Sequence, residues 1–217
     1  MVADINPNDF IITRKRKKYR FAKFALADNC YEIADWKRRA VDTIEIGAGT
    51  GVFSVELAAR HPERQFVALD VKGDRLQKGA HVALDEAVAN VGFLRARADQ
   101  IIELFDEHSA QSIWLTFPDP FPKRRSAGRR LTHPTFLKKY ETLLDDDGAL
   151  YLKHDNRVFF QWSLEQLVSQ GWVIDELSFD LHESTLNDDY KILTAYERRW
   201  LAEGLVTNFL RARPPRA

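Results

Sequence analysis

The chain has a single cysteine, Cys30, among 217 residues. That excludes an internal disulfide framework and a four-cysteine zinc site, and no metal is expected. No run of about 18 apolar residues occurs, so no membrane-spanning helix is expected either. The N-terminus, Met1 to Asp9, lacks a basic stretch followed by an apolar one and does not read as a signal peptide. Net charge is absent as well, because 32 Lys and Arg balance 32 Asp and Glu. These absences point to the cytoplasm.

What is present suffices for a sizeable core, since 45% of residues are hydrophobic and 12% aromatic. The length suits one large domain with a small extension. We divide it into an arm over residues 1–40 and a domain over 41–217. The zero net charge hides a segregation. Residues 1–40 carry 10 basic and 5 acidic side chains, whereas residues 41–115 carry 7 and 12. The basic excess lies in two runs, Arg14 to Lys23 and Lys123 to Arg130. Local charge is enough to hold a polyanion, because the phosphate term depends on nearby cations. Tyr19, Phe21 and Phe24, interleaved in the first run, suit either base stacking or pinning the arm to the domain.

Along the chain, strands alternate with helices. Apolar runs predict strands at 41–46, 65–70, 91–98, 112–117, 148–154, 172–181 and 191–201. Helical spacing predicts helices at 52–60, 75–91, 100–108, 132–144 and 157–170, the fourth opening on a Thr132 cap. Such alternation means a mostly parallel α/β sheet with helices on both faces. Ligands then sit beyond the carboxyl ends of the strands. The polar residues fall there: the glycine loop Gly47-Ala-Gly49-Thr-Gly51, then Asp70, Asp99, Asp119 and His154-Asp155.

Glycines let the backbone approach a ligand closely and take positive φ. The spacing here is G-x-G-x-G, not the G-x-G-x-x-G of dinucleotide folds. Asp70 follows where an acid can accept ribose hydroxyls. With Glu45, Asp70 and Asp99 all acidic, a pyrophosphate would meet like charge, whereas a cationic nucleoside such as S-adenosylmethionine suits the site. After the fourth strand comes Phe117-Pro-Asp119-Pro-Phe121-Pro-Lys123-Arg124-Arg125. Three prolines forbid helix and ladder pairing and leave a stiff loop that holds one carboxylate, Asp119. Five of the eight residues from Lys123 to Arg130 are basic.

That loop, with Arg129-Arg130-Leu131, resembles the signature of the bacterial tRNA (guanine-N7)-methyltransferase family. So do Thr194-Ala-Tyr196-Glu197-Arg-Arg-Trp, Phe136-Leu-Lys-Lys-Tyr-Glu, Asp155-Asn-Arg and Leu181-His-Glu-Ser. The resemblance covers about residues 41–201. It implies a class I (Rossmann-like) methyltransferase sheet of seven strands, the last antiparallel. It also implies methyl transfer from S-adenosylmethionine to guanosine N7 in the tRNA variable loop. Carried over by position, Glu45, Gly47, Gly49, Gly51, Asp70, Asp99 and Asp119 are the implied cofactor contacts, and Asp119 is the implied catalytic residue. Lys123, Asp155, Thr194, Tyr196 and Glu197 are implied to bind substrate, and Arg125, Arg129 and Arg130 to contact RNA. Three positions depart from the family pattern: Asp70 where Glu is common, His154 where Thr is expected, and Gly128 where Lys is expected. Two rivals remain on the residues alone, an amino-methylating nucleic-acid enzyme and a non-catalytic nucleotide- or RNA-binding module.

Overall fold

Each face of the central sheet is covered because its strands alternate sides with a period of two. Val67 and Leu69 enter one buried cluster with Leu137, Tyr140 and Phe160. Their neighbours Phe66 and Ala68 enter the other, with Phe24, Phe53 and Leu76. The computed structural model of the chain describes residues 15–215. The expectation about the first nine residues and part of the first basic run lies outside them.

In chain order the elements are α1 (Lys15–Leu26), β1 (Cys30–Glu32), β2 (Thr43–Ile46), α2 (Val52–Arg60), β3 (Phe66–Asp70) and α3 (Gly73–Asp85). Then come β4 (Val91–Arg95), α4 (Ile101–Leu104), β5 (Ala110–Thr116), α5 (Pro134–Leu143) and β6 (Leu144–His154). The chain closes with α6 (Arg157–Ser169), β7 (Val173–Ser178), α7 (Ala195–Leu201) and β8 (Asn208–Arg213). The strands form one sheet of order β1-β4-β3-β2-β5-β6-β8-β7. All neighbours are parallel except those of β8, which runs antiparallel to both β6 and β7. The order reverses between β2 and β5, and the crevice above that reversal is where such sheets take ligands.

The sheet has eight strands rather than seven. The extra one is β1, which pairs with β4 from within residues 1–40. Helix α1 before it is fastened by Phe24, which is 1% exposed. Gly73, at the start of α3, leaves the room: a Cβ there would meet the Phe24 ring at 3.2 Å.

Two expectations are corrected. Residues 191–201 are not the last strand; they end a short 3-10 turn and form α7. Thr194 and Glu197 make a reciprocal capping box, each side chain bonding the other's backbone N–H, and this starts a helix. The antiparallel strand lies further on, at β8. Secondly, α5 is capped by His133, with Pro134 in its first turn, not by Thr132. Thr132 is fully buried, and its hydroxyl lies 2.8 Å from that of Ser163.

Candidate active site

The carboxyl ends of β2, β3, β4, β5 and β6 open onto one cleft of about 1560 Å³. Glu45, Gly47, Gly49, Asp70, Asp99 and Asp119 all line it. These six acids and glycines, which the sequence separates by up to 74 positions, are thus brought together by strand order.

The glycine loop is shaped by its backbone. Gly47, Gly49 and Gly51 all have positive φ, at 77, 59 and 71°. At Gly51 an added Cβ would also meet Phe93 Cε1 at 2.6 Å, so the position tolerates no side chain. Gly51 does not line the cleft; it is the N-cap of α2. At Gly49 an added Cβ would meet nothing within 4 Å, so the backbone there faces open space. Its N–H donates to Asp70 Oδ2 at 2.9 Å, and Lys72 N–H donates to Asp70 Oδ1 at 2.8 Å. These bonds fix the Asp70 carboxylate at the cleft edge.

Glu45 is 1% exposed. Ser54 Oγ and Thr116 Oγ1 each donate to it at 2.6 Å. Burial nevertheless pushes its pKa up to about 7, with those hydroxyls partly opposing the rise. Asp99 behaves oppositely. The Arg97 guanidinium beside it, at 2.5 and 2.9 Å, holds its carboxyl below the usual range. The donor set therefore fits S-adenosylmethionine: open backbone at Gly49, a fixed acid for ribose at Asp70, and negative charge for a sulfonium and an ammonium.

The opposite wall is the prolyl loop after β5. Asp119 is exposed into the cleft, and its Oδ1 accepts from Phe121 N–H at 3.1 Å in an Asx turn. Phe117 and Phe121 both take positive φ, 51 and 38°. Phe121 carries Arg129 on one ring face, the guanidinium carbon 4.4 Å from the ring centroid. Arg130 does not face the cleft; it turns under the loop onto Trp162. Lys123 and Arg125 also lie outside the lining, but as exposed cations with no ion pair among the described residues.

The third side comes from β6 and α7. Asp155, Thr194 and Tyr196 line the cleft. The Tyr196 hydroxyl donates to Asp155 Oδ2 at 3.1 Å, and its ring packs on Phe117 at 5.3 Å. Glu197 is placed elsewhere. It is 1% exposed and accepts from Lys153 Nζ at 2.7 Å and Thr207 Oγ1 at 3.0 Å, with His182 Nε2 at 2.8 Å. Burial alone would raise its pKa, but His182 and Lys153 outweigh that and lower it. A carboxylate so engaged joins β6, α7 and the approach to β8, and does not reach a ligand in the cleft. Sequence reasoning missed Lys153, Ser54 and Thr116, none of which carries a motif, and Arg20, which reaches the cleft from α1.

Comparisons with known proteins show the family. The methyltransferase family model Methyltransf_4 matches residues 39–209. A tRNA (guanine-N(7)-)-methyltransferase from Brevibacillus brevis is 37% identical over 174 residues, covering 78% of this chain and 81% of that protein. Another of the same name, from Mycoplasmopsis agalactiae, is 41% identical over 167 residues, covering 77% and 80%.

The chain belongs to the tRNA (guanine-N7-)-methyltransferase family.

Solved structures agree on the fold of this family member. The 16S rRNA methyltransferase KamB superposes with a TM-score of 0.60 at 16% identity, covering 84% of this chain and 90% of that one. A precorrin-6y C5,15-methyltransferase from Geobacter metallireducens gives 0.55 at 13% identity, covering 94% and 90%. The fold is that of class I methyltransferases. Among the described residues, no helix is long and apolar enough to cross a membrane.

Proposed function

We propose that this protein methylates N7 of a guanosine in the variable loop of tRNA, at position 46, using S-adenosylmethionine. The single observation that carries the reading is the placement of Asp119. A stiff prolyl loop sets it on the same cleft as Gly49, Asp70 and Asp99. Bound there, S-adenosylmethionine supplies an electrophilic methyl group on a cationic sulfur. The chain's own residues do the rest. Asp70 receives the ribose hydroxyls, Glu45 and Asp99 oppose positive charge, and the loop over 47–51 lets the backbone come close.

Guanine N7 has an in-plane lone pair and is unprotonated near neutral pH, so the residues need not remove a proton before attack. What they must do is hold the base in line, with reacting atoms about 3–3.5 Å apart. The methylated base is cationic, and Asp119 stabilises that charge as it develops. Asp155, Tyr196 and Thr194 form the side of the cleft against which the base is set, and Phe117 with Phe121 offers rings for a base pulled out of its stack. Lys123 and Arg125 lie exposed beyond the mouth and take the phosphates. A tRNA substrate places the work in the cytoplasm.

The test is direct. Purified protein and labelled S-adenosylmethionine are incubated with a tRNA transcript, and with the same transcript carrying adenosine in place of the variable-loop guanosine. Label on the first alone, recovered as N7-methylguanosine by nucleoside mass analysis, is expected. Label on an exocyclic amine would support the amino-methylating rival. No label, with tRNA bound and S-adenosylmethionine ignored, would support the RNA-binding module.

A further inference from the structure

Prolines at 118, 120 and 122 strip the loop after β5 of backbone donors. Side chains from outside the loop take its carbonyls instead. His154 Nε2 donates to Pro118 O at 2.9 Å. Arg130 Nε donates to Pro120 O at 3.0 Å, and Arg130 Nη2 to Phe121 O at 3.1 Å. Two donors thus grip three carbonyls on either side of Asp119. Phe117 and Phe121 hold left-handed backbone conformations, which persist only where the surroundings over-determine them.

Both donors are themselves fixed. His154 is 3% exposed and packs on Phe159 with ring centroids 4.5 Å apart. Its Nδ1 accepts from Asn156 N–H at 2.8 Å, so in the neutral ring the proton sits on Nε2, facing Pro118. Asp155 Oδ1 lies 3.1 Å from the same Nδ1. Arg130 lies over the Trp162 ring at 4.2 Å. A guanidinium stacked on indole has committed its Nε–Nη2 edge to the two loop carbonyls, and that edge is not open to a phosphate.

We infer that Arg130 and His154 are positioning residues that clamp Pro118 to Phe121 and so present Asp119 to the cleft, and that Arg130 does not contact RNA phosphate. The inference rests on the methyl-transfer reading above. It departs from the family resemblance, which placed Arg130 with the RNA contacts, and it gives His154, a departure from the family pattern, a task.

Arg130→Lys keeps the charge but cannot span both carbonyls or lie flat on Trp162. Its kcat should fall on the order of 10- to 100-fold, since misplacement by about 1 Å costs that much. Its tRNA Kd, and the slope of log Kd against log salt, should match wild type. Arg125→Ala should weaken tRNA binding and reduce the salt slope by about one. His154→Gln, which restores a donor towards Pro118, should retain kcat within a few-fold of wild type, whereas His154→Phe should lose it. Thermal melting and S-adenosylmethionine titration report whether each variant is folded; should His154→Phe fail to fold, Arg130→Lys decides alone. Loss of tRNA affinity in Arg130→Lys, with kcat intact, would overturn the clamp. So would wild-type kcat in a folded His154→Phe. If wild-type protein itself labels no tRNA guanosine, the methyl-transfer reading has failed, which is a different result.

Discussion

The two walls of the cleft are built by different means. On the glycine-loop wall the fastenings are backbone N–H groups of the loop itself, donating to the end of β3. Gly47 and Ala48 N–H donate to Leu69 O at 2.8 and 3.0 Å, and Gly49 N–H to Asp70. On the prolyl-loop wall a single backbone bond, Phe117 N–H to Lys153 O at 2.9 Å, is joined by side chains from other elements. His154 reaches Pro118 across 36 residues, and the Tyr196 ring packs on Phe117 with centroids 5.3 Å apart. The first wall is a motif that carries its own geometry. The second is an assembly, so damage in α7 or β6 should reach Asp119 although neither carries the reacting group.

That contrast is sharpened first at Glu197, remote from the glycine loop. Glu197→Ala leaves Lys153 buried without its carboxylate, and Lys153 is 0% exposed. Breaking a buried pair on one side costs about 3–5 kcal/mol. Denaturant melts should show that loss, and a variant as stable as wild type would mean the two walls are independent. Next is Asp119→Ala. Removing a preorganised charge stabiliser costs about 10²–10³ in kcat. Single-turnover rates should fall by that factor while tRNA Kd stays near wild type, and equal losses in both would remove Asp119 from the chemistry.

A change confined to the first wall should behave otherwise. Gly51→Ala forces a side chain onto Phe93 and into left-handed backbone, a strain of about 1–3 kcal/mol. S-adenosylmethionine affinity should drop, with tRNA binding unchanged; a matching drop in tRNA affinity would blur the distinction between walls. The smallest effect is one of pH. The Glu45 pKa is about 7 in the fold against an ordinary value of 4.5. The folded protein therefore holds that proton longer, and Glu45's contribution to stability falls as pH rises from 4.5 to about 7, then stays level. A cationic ligand prefers the ionised carboxylate. Calorimetric affinity for S-adenosylmethionine should therefore rise as pH climbs through about 7, and Glu45→Gln should flatten that rise.

The capping box at Thr194 to Glu197 shows how sequence can mislead even when it carries the signal. Thr194 and Tyr196 also fit an alternating strand, and only the tertiary environment, with Glu197 drawn onto buried Lys153 and His182, settles the segment as a helix. Strand β1 was illegible for another reason. Three residues are too few for a periodic pattern, and their place depends on pairing with β4, more than 60 positions away.

By itself the sequence determined the alternating strand–helix order, the left-handed glycine loop and the acids that end successive strands. Each is a local consequence of side-chain period or backbone sterics. The same holds for the stiffness of the prolyl loop, because proline restricts φ wherever it stands. Only the tertiary structure decided what the charged side chains do. Arg125 and Arg130 look alike in the chain, yet one stands in solvent and the other is forked into two carbonyls on an indole face. A long side chain's partner is set by whatever the fold brings within about 3 Å, and no local pattern encodes that neighbour.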